Sequence, residues 1–288
     1  MRQITHLPQP GALRIRRRDL LGALAVGLPL AGCASRAREP QPVVARSELS
    51  TEGRLRVAIN LGNPILASRG QRAGEPQGVS VDLAREAARR LGLPVEWVEL
   101  PAAGRAVEAV RAGQVNLAFV AIDPVRGADL DYTAPYVIIE GAYLVRADSP
   151  LTRTDEVDRP GTRVVVGRGS AYDLYLTRAL QQAQLVRAPT SPAVVDQFLA
   201  EGQEVAAGVR QQLQADMARL AAAGTPALRL LPGRFMVIEQ AMAVPKGRLA
   251  AQAWLSAFVE EMKATGFVAD SLRRHGIEGA AVAPPAQP

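Results

Sequence analysis

Between residues 54 and 276, apolar residues fall at two spacings. Short runs rich in valine and alanine are apolar throughout or at alternate positions, and longer stretches carry apolar residues three and four apart. The first spacing belongs to strands and the second to amphipathic helices. Leu-Arg-Val-Ala-Ile-Asn at 55–60 predicts a strand. After a loop, residues 81–91 predict a helix that Gly92 ends, because glycine takes the left-handed cap without a Cβ penalty. A strand at 95–98, a helix at 105–111 closed by Gly113 and a strand at 115–122 follow. A second series predicts strand 163–167, helix 172–182, strand 185–187, helix 192–200, strand 204–208 and helix 211–222. Strands alternating with helices specify an α/β fold on mixed, mainly parallel sheets, and two such series predict two lobes.

Upstream of this body the pattern changes. Residues 14–33 carry an arginine cluster, an apolar run and the one cysteine of the chain. The apolar run, 20–32, is 13 residues long and contains Pro29, against the roughly 20 residues that a spanning helix needs. It predicts the core of a signal peptide. Arg17-Arg18 followed by Asp19, Leu20 and Leu21 resembles a twin-arginine motif, and Leu30-Ala31-Gly32-Cys33 resembles a lipobox. The expectation is a signal over 1–33, export by the twin-arginine or the general secretory route, and a periplasmic protein anchored to a membrane by lipid on Cys33. A fortuitous lipobox would instead leave the protein free in the periplasm.

Residues 34–53 are rich in Ser, Arg, Pro and Gln and predict a flexible tether; the Ala/Pro-rich 277–288 predict a disordered tail.

Loss of residues 1–32 removes five arginines and one aspartate, so the net charge falls from +6 to about +2. The remaining basic residues are interspersed with acids and few aromatics, which gives no stripe for nucleic acid. The chain is large enough to bury one big core or two. No His/Cys/Asp/Glu cluster has metal-ligand spacing, no glycine-rich phosphate fingerprint follows a strand, and no cofactor is expected. His275 is the one histidine after the signal, so Cys-His and Ser-His-Asp chemistries have little to build on. A carboxylate such as Glu239 or Glu140, buried in a closed cleft, remains the route by which an enzyme would work.

The ordered series G-V-S-V-D-L-A-R-E-A-A-R-R-L-G-L at 78–93, V-E-W-V at 95–98, R-A-G-Q-V-N-L-A at 111–118, D-P-V-R at 123–126 and D-Y-T-A-P-Y at 131–136 resembles the bacterial periplasmic solute-binding proteins of the polar amino-acid class, extracellular solute-binding protein family 3. The resemblance runs from Arg54 to Gly276. It implies a two-lobed, type II periplasmic binding protein with a hinge of two crossover segments, near 143–146 and 238–243, and a small ligand in the cleft. Lobe 1 would comprise 54–144 plus 240–276, and lobe 2 residues 145–239.

The same resemblance implies site residues. Arg126 matches the arginine that clamps the ligand carboxylate, a task that suits a planar guanidinium. The alternative is a surface ion pair with Asp129 or Asp131. Asp123-Pro124 reads as a helix N-cap and a first-turn proline. Gly169-Ser170, opening the helix that holds Tyr172, matches a pair that donates N–H and hydroxyl groups to the same carboxylate. Asn60 and Asn63 fall where the family has cleft residues, although asparagine at a strand end is as often a turn residue.

The family's ammonium-binding aspartate is replaced by Arg210, and an aromatic expected after the second strand is missing at Pro101-Ala102. If Arg210 enters the cleft beside Arg126, two guanidiniums favour a dicarboxylate or an acid without an amine. If it does not, Glu239 or Glu140 supplies the charge for an ammonium. The implied function is capture of a small carboxylate-bearing solute by a monomer for an ABC import permease. A periplasmic sensor or accessory protein read by a membrane partner, and a dehydratase-like enzyme on the same fold, are the alternatives.

Overall fold

The computed structural model describes residues 42–70, 75–225 and 227–287. The signal-like segment and Cys33 lie outside the described residues. The elements run α1 (Pro42–Glu48), β1 (Leu55–Asn60), β2 (Ser68–Arg69), β3 (Pro76–Gln77), α2 (Val79–Leu91), β4 (Val95–Leu100), α3 (Ala103–Arg111) and β5 (Leu117–Ala121). A single 3-10 turn at Arg126–Ala128 leads into β6 (Leu130–Arg146), followed by β7 (Arg163–Gly167), α4 (Ala171–Ala179), β8 (Gln184–Ala188), α5 (Val194–Ala200) and β9 (Val205–Val209). Then come α6 (Arg210–Ala222), β10 (Leu228–Leu230), β11 (Met236–Pro245), α7 (Leu249–Ala264), α8 (Phe267–Arg274) and β12 (Ala281–Val282).

The sheet order is β4-β1-β5-β11-β6-β9-β7-β8. β1 pairs in parallel with β4 and β5, and β7 in parallel with β8 and β9. Every residue of β5 and of β9 is buried, which is why these strands read as unbroken apolar runs and not as alternation. The two parallel halves are joined by β6 and β11. These run antiparallel to each other from Leu130↔Pro245 to Gly141↔Met236, after which β6 turns its next residues, Gly141–Leu144, to β9. The crossovers expected near 143–146 and 238–243 fall within these two strands.

Helices cover both faces. In α2, Leu83, Ala84, Ala87, Ala88 and Leu91 are buried while Arg85, Arg89 and Arg90 face water, and Gly92 ends the helix at φ 61°. α3 lays Ala106, Val107 and Val110 on Ala58, Ala118 and Val120, and α5 buries Val194, Val195 and Phe198 against the second half. α4 stops at Ala179, three residues before the expected end. The Asp158 carboxylate collects the backbone N–H groups of Gln181, Gln182 and Ala183 at 2.8–3.1 Å, which competes with continuation of the helix. α8 returns to the first half, where Asp82 of α2 accepts hydrogen bonds from Ser271 Oγ at 2.6 Å and Arg274 Nη2 at 2.9 Å and lies 3.0 Å from His275 Nε2.

The described parts of the expected tether and tail, 42–53 and 277–287, are more ordered than their composition predicts. The tether expected over 34–53 contains α1, whose Ala45 and the following Leu49 are buried in the core. Glu48 accepts a 2.8 Å hydrogen bond from the Ala251 N–H in the first turn of α7, where the helix dipole favours an anion. The tail expected to be disordered forms β12 against Val137 and Ile138 of β6, and Lys263 Nζ donates to the Pro284 carbonyl at 2.8 Å. A seven-residue helix and a two-residue strand are too short to leave a periodic signature. Among the described residues no helix is long and apolar enough to cross a membrane, and no cluster of His, Cys, Asp or Glu is placed to hold a metal ion.

Candidate functional site

A cavity opens at the carboxyl ends of the parallel strands, the usual ligand position in open α/β sheets. Asn60 ends β1, Ala121 ends β5 and Val209 ends β9, and all three line it; Arg168 follows β7 directly. The space free of atoms is about 420 Å³ with solvent at the mouth included, but the cavity itself is only about 30 Å³, little more than the room of one water, so the halves as they stand must part to admit a solute. The two halves touch across it. Arg178 of α4 forms an ion pair with Asp123 at 2.9 Å, and a Cβ placed on Gly169 would lie 3.4 Å from the Gly104 Cα.

Arg126 sits at the bottom of the contact, 3% exposed. Asp123 positions it by accepting the Val125 N–H at 2.9 Å and the Arg126 N–H at 3.4 Å; this is a turn contact and not the expected helix N-cap, for the 3-10 helix begins at Arg126 and is flanked by Val125. The guanidinium donates Nη1 to the Ala121 carbonyl at 3.2 Å and Nη2 across the cleft to the Gly169 carbonyl at 2.7 Å. Both partners are neutral. Burial pulls its pKa down, opposed by the fields of Tyr132, Asp123 and Asp173. The surface ion pairs are taken by others: Asp129 binds Arg111 at 2.7 Å and Asp131 binds Lys246 at 3.2 Å. An arginine has five N–H donors, so most of this one's remain for an anion.

Ser170 and Tyr172 also line the cavity. Ser170 caps α4, its Oγ accepting the Asp173 N–H at 3.0 Å. Tyr172 is buried, which pushes its pKa up to about 12 against the hydrogen bonding of Ser191, Ser170 and the Gly167 backbone. Gly169 does not line the cavity. Its left-handed backbone, φ 68°, sends the N–H to Asp173 Oδ2 at 2.8 Å and the carbonyl to Arg126, so neither group is left for a ligand in this closed arrangement. Asn60 and Asn63 line the opposite wall. Asn60 Oδ1 accepts the Gly62 N–H at 3.0 Å, a turn contact, whereas Asn63 Oδ1 is buried with no partner among the described residues.

Contrary to expectation, Arg210 and Glu239 do not line the cavity. Arg210 Nε donates to Glu140 Oε2 at 3.1 Å and its Nη2 to the Gly233 carbonyl, while Arg234 holds the other Glu140 oxygen at 2.6 Å. Those hydrogen bonds from the two arginines hold the Glu140 pKa below the ordinary carboxylate range, against burial. Glu239 is exposed because side chains alternate along β11: Ile238 and Gln240 face the cavity and Glu239 faces away. Sequence reasoning also missed Arg168, Ser191 and Gln240. Alternation along the second crossover would have found Gln240, and the place of Arg168 just before Gly169-Ser170 would have flagged it.

Among the described residues the lining includes two arginines, Arg126 and Arg168, and no aspartate or glutamate. The sequence model of the bacterial extracellular solute-binding proteins, family 3, matches residues 55–276. The chain belongs to this family. No curated protein matches this family-3 solute-binding protein. Among solved structures, it is similar to the solute receptor for L-cysteine of Neisseria gonorrhoeae, with TM-score 0.68, 21% identity and coverage of 83% of this chain and 94% of that one. A histidine kinase sensor domain with similarity to periplasmic binding proteins gives TM-score 0.68 and 21% identity over 80% of this chain and 98% of its own. An ancestral amino acid-binding protein, a precursor of cyclohexadienyl dehydratase, gives 0.65 and 19% over 80% and 98%. At these identities the likeness is one of fold: a mixed α/β, two-lobed periplasmic binding protein.

Proposed function

We propose that this family-3 solute-binding protein captures a small carboxylate-bearing solute between its lobes, 54–144 with 240–276 and 145–239, and presents it to an ABC import permease. Arg126 clamps the carboxylate, with Ser170, Tyr172, Asn60 and Asn63 around it. The observation that carries this reading is a guanidinium 3% exposed, at the edge of a cavity, whose direct partners are carbonyl oxygens. Asp123 and Asp173 act on it only through their fields, so this buried charge has no direct ion-pair partner, and an anionic ligand supplies one. On this reading the protein works in the periplasm, held to a membrane by lipid on Cys33; the arginine cluster, short apolar run and lipobox-like end of 14–33 support it.

The likeness to a histidine kinase sensor domain favours a second reading, in which a membrane sensor reads closure. Catalysis is disfavoured, since Glu140 and Glu239, the carboxylates weighed as acid or base, stand outside the cavity. The test is a thermal-shift screen of the purified protein against small carboxylates and their matched primary amides. A ligand bound only by the folded state raises Tm by mass action. Acids raise Tm and amides do not; equal shifts from both would reject the clamp.

A further inference from the structure

We infer that the solute is a short acid with two anionic groups and no amine, and that Arg168 holds the second anionic group. This rests on the carboxylate reading of the cavity given above. Arg168 lines the cavity opposite the first lobe, in the turn between β7 and α4, and among the described residues its side chain makes no hydrogen bond or ion pair. It is exposed where Arg126 is buried. One arginine thus borders the space from its solvent side and the other from its buried side, and an acid with an anion at each end is the ligand whose charges match both.

The carboxylates close to the cavity are already committed. Asp123 is bound by Arg178 and two backbone N–H groups, and Asp173 accepts from Arg187, from the Gly169 N–H and from Thr177. Glu140 is held between Arg210 and Arg234, and Glu239 points away. An ammonium in this space would face two positive charges with only neutral oxygens to receive it, and such a charge is expensive to bury. The unpartnered Asn63 Oδ1 can be satisfied without a charge by a hydroxyl on the acid, or the amide can turn its N–H groups to an acceptor. Ala102 and Ala103, beside the place where an aromatic cover was expected, provide no stacking face on that wall.

A matched set separates these terms: succinate, L-malate, butyrate with one carboxylate fewer, and L-aspartate with an added amine. Calorimetric titration of the purified protein should show succinate or malate binding at least about tenfold tighter than butyrate or aspartate, the size of one charge-assisted hydrogen-bond pair. Arg168→Gln should bring the succinate-to-butyrate ratio to near one. The inference is overturned if aspartate binds tighter than succinate, or if Arg168→Gln leaves the ratio intact. Butyrate binding as tightly as succinate would overturn the inference while upholding the Arg126 clamp. If these acids and a wider panel of carboxylates, amino acids included, all fail to bind, the carboxylate reading itself falls and takes the inference with it.

Discussion

The Asp123–Arg178 pair predicts how firmly the two halves hold together. Asp123 has a side chain 4% exposed and Arg178 one 42% exposed, with 2.9 Å between Oδ2 and Nη2. At an effective dielectric of about 20 the direct attraction is roughly 5–6 kcal/mol, and desolvation of the buried carboxylate together with screening at the exposed guanidinium leaves a net of about 1–2 kcal/mol. The pair links the halves, so that energy bears on the open–closed equilibrium. Arg178→Gln should shift this equilibrium toward open by about tenfold, since about 1.4 kcal/mol is a factor of ten. Ligand affinity then falls in proportion to the lost closed population. Energy transfer between dyes placed on the two halves reads the closed fraction. Arg187→Gln is the control, because its ion pair with Asp173, also 2.9 Å, stays within one half. An unchanged closed fraction for Arg178→Gln, or an equal shift for the control, refutes the reasoning.

Arg210→Ala should leave ligand affinity within about twofold of wild type and cost about 1 kcal/mol in urea melts, as expected for a partly exposed pair with Glu140; a loss of affinity above tenfold would return Arg210 to the site. Leu49→Ala should cost about 2–4 kcal/mol, because Leu49 is 1% exposed and its removal opens a cavity, whereas a tether residue would cost nothing. The Asp82 carboxyl, raised by burial but lowered further by hydrogen bonds from Ser271, Arg274 and His275, lies below its usual value of 3.8. A depressed carboxylate stabilises the fold above its unfolded pKa and loses that contribution as pH falls through the folded value. Melts from pH 6 to pH 3 should therefore show wild type losing more stability than Asp82→Asn, and parallel curves would contradict the assignment.

How much of this was legible depended on element length and on what competed locally. β5 and β9 are buried on both faces and announce themselves as apolar runs, and α2 carries a regular stripe ended by Gly92. α1 and β12 were missed because their burial depends on α7 and β6, far away in sequence. Arg126 was singled out because Asp123-Pro-Val-Arg126 resembles the family motif, and the Asp123 side chain fixes the turn that carries it into the cavity wall. Arg168 looked like any of 32 arginines, since nothing local shows that a cavity ends beside it. Arg210 was misplaced because its position was carried over by spacing, while its partners, Glu140 and Gly233, come from distant segments.

The most direct test of the central claim is a calorimetric titration of Arg126→Gln beside wild type, using the acid that gives the largest thermal shift. Removal of a charged clamp should weaken binding by at least a hundredfold, with a far-ultraviolet circular dichroism spectrum and cooperative melt that show the fold intact. Affinity within about threefold of wild type would contradict the assignment of Arg126 as the carboxylate clamp.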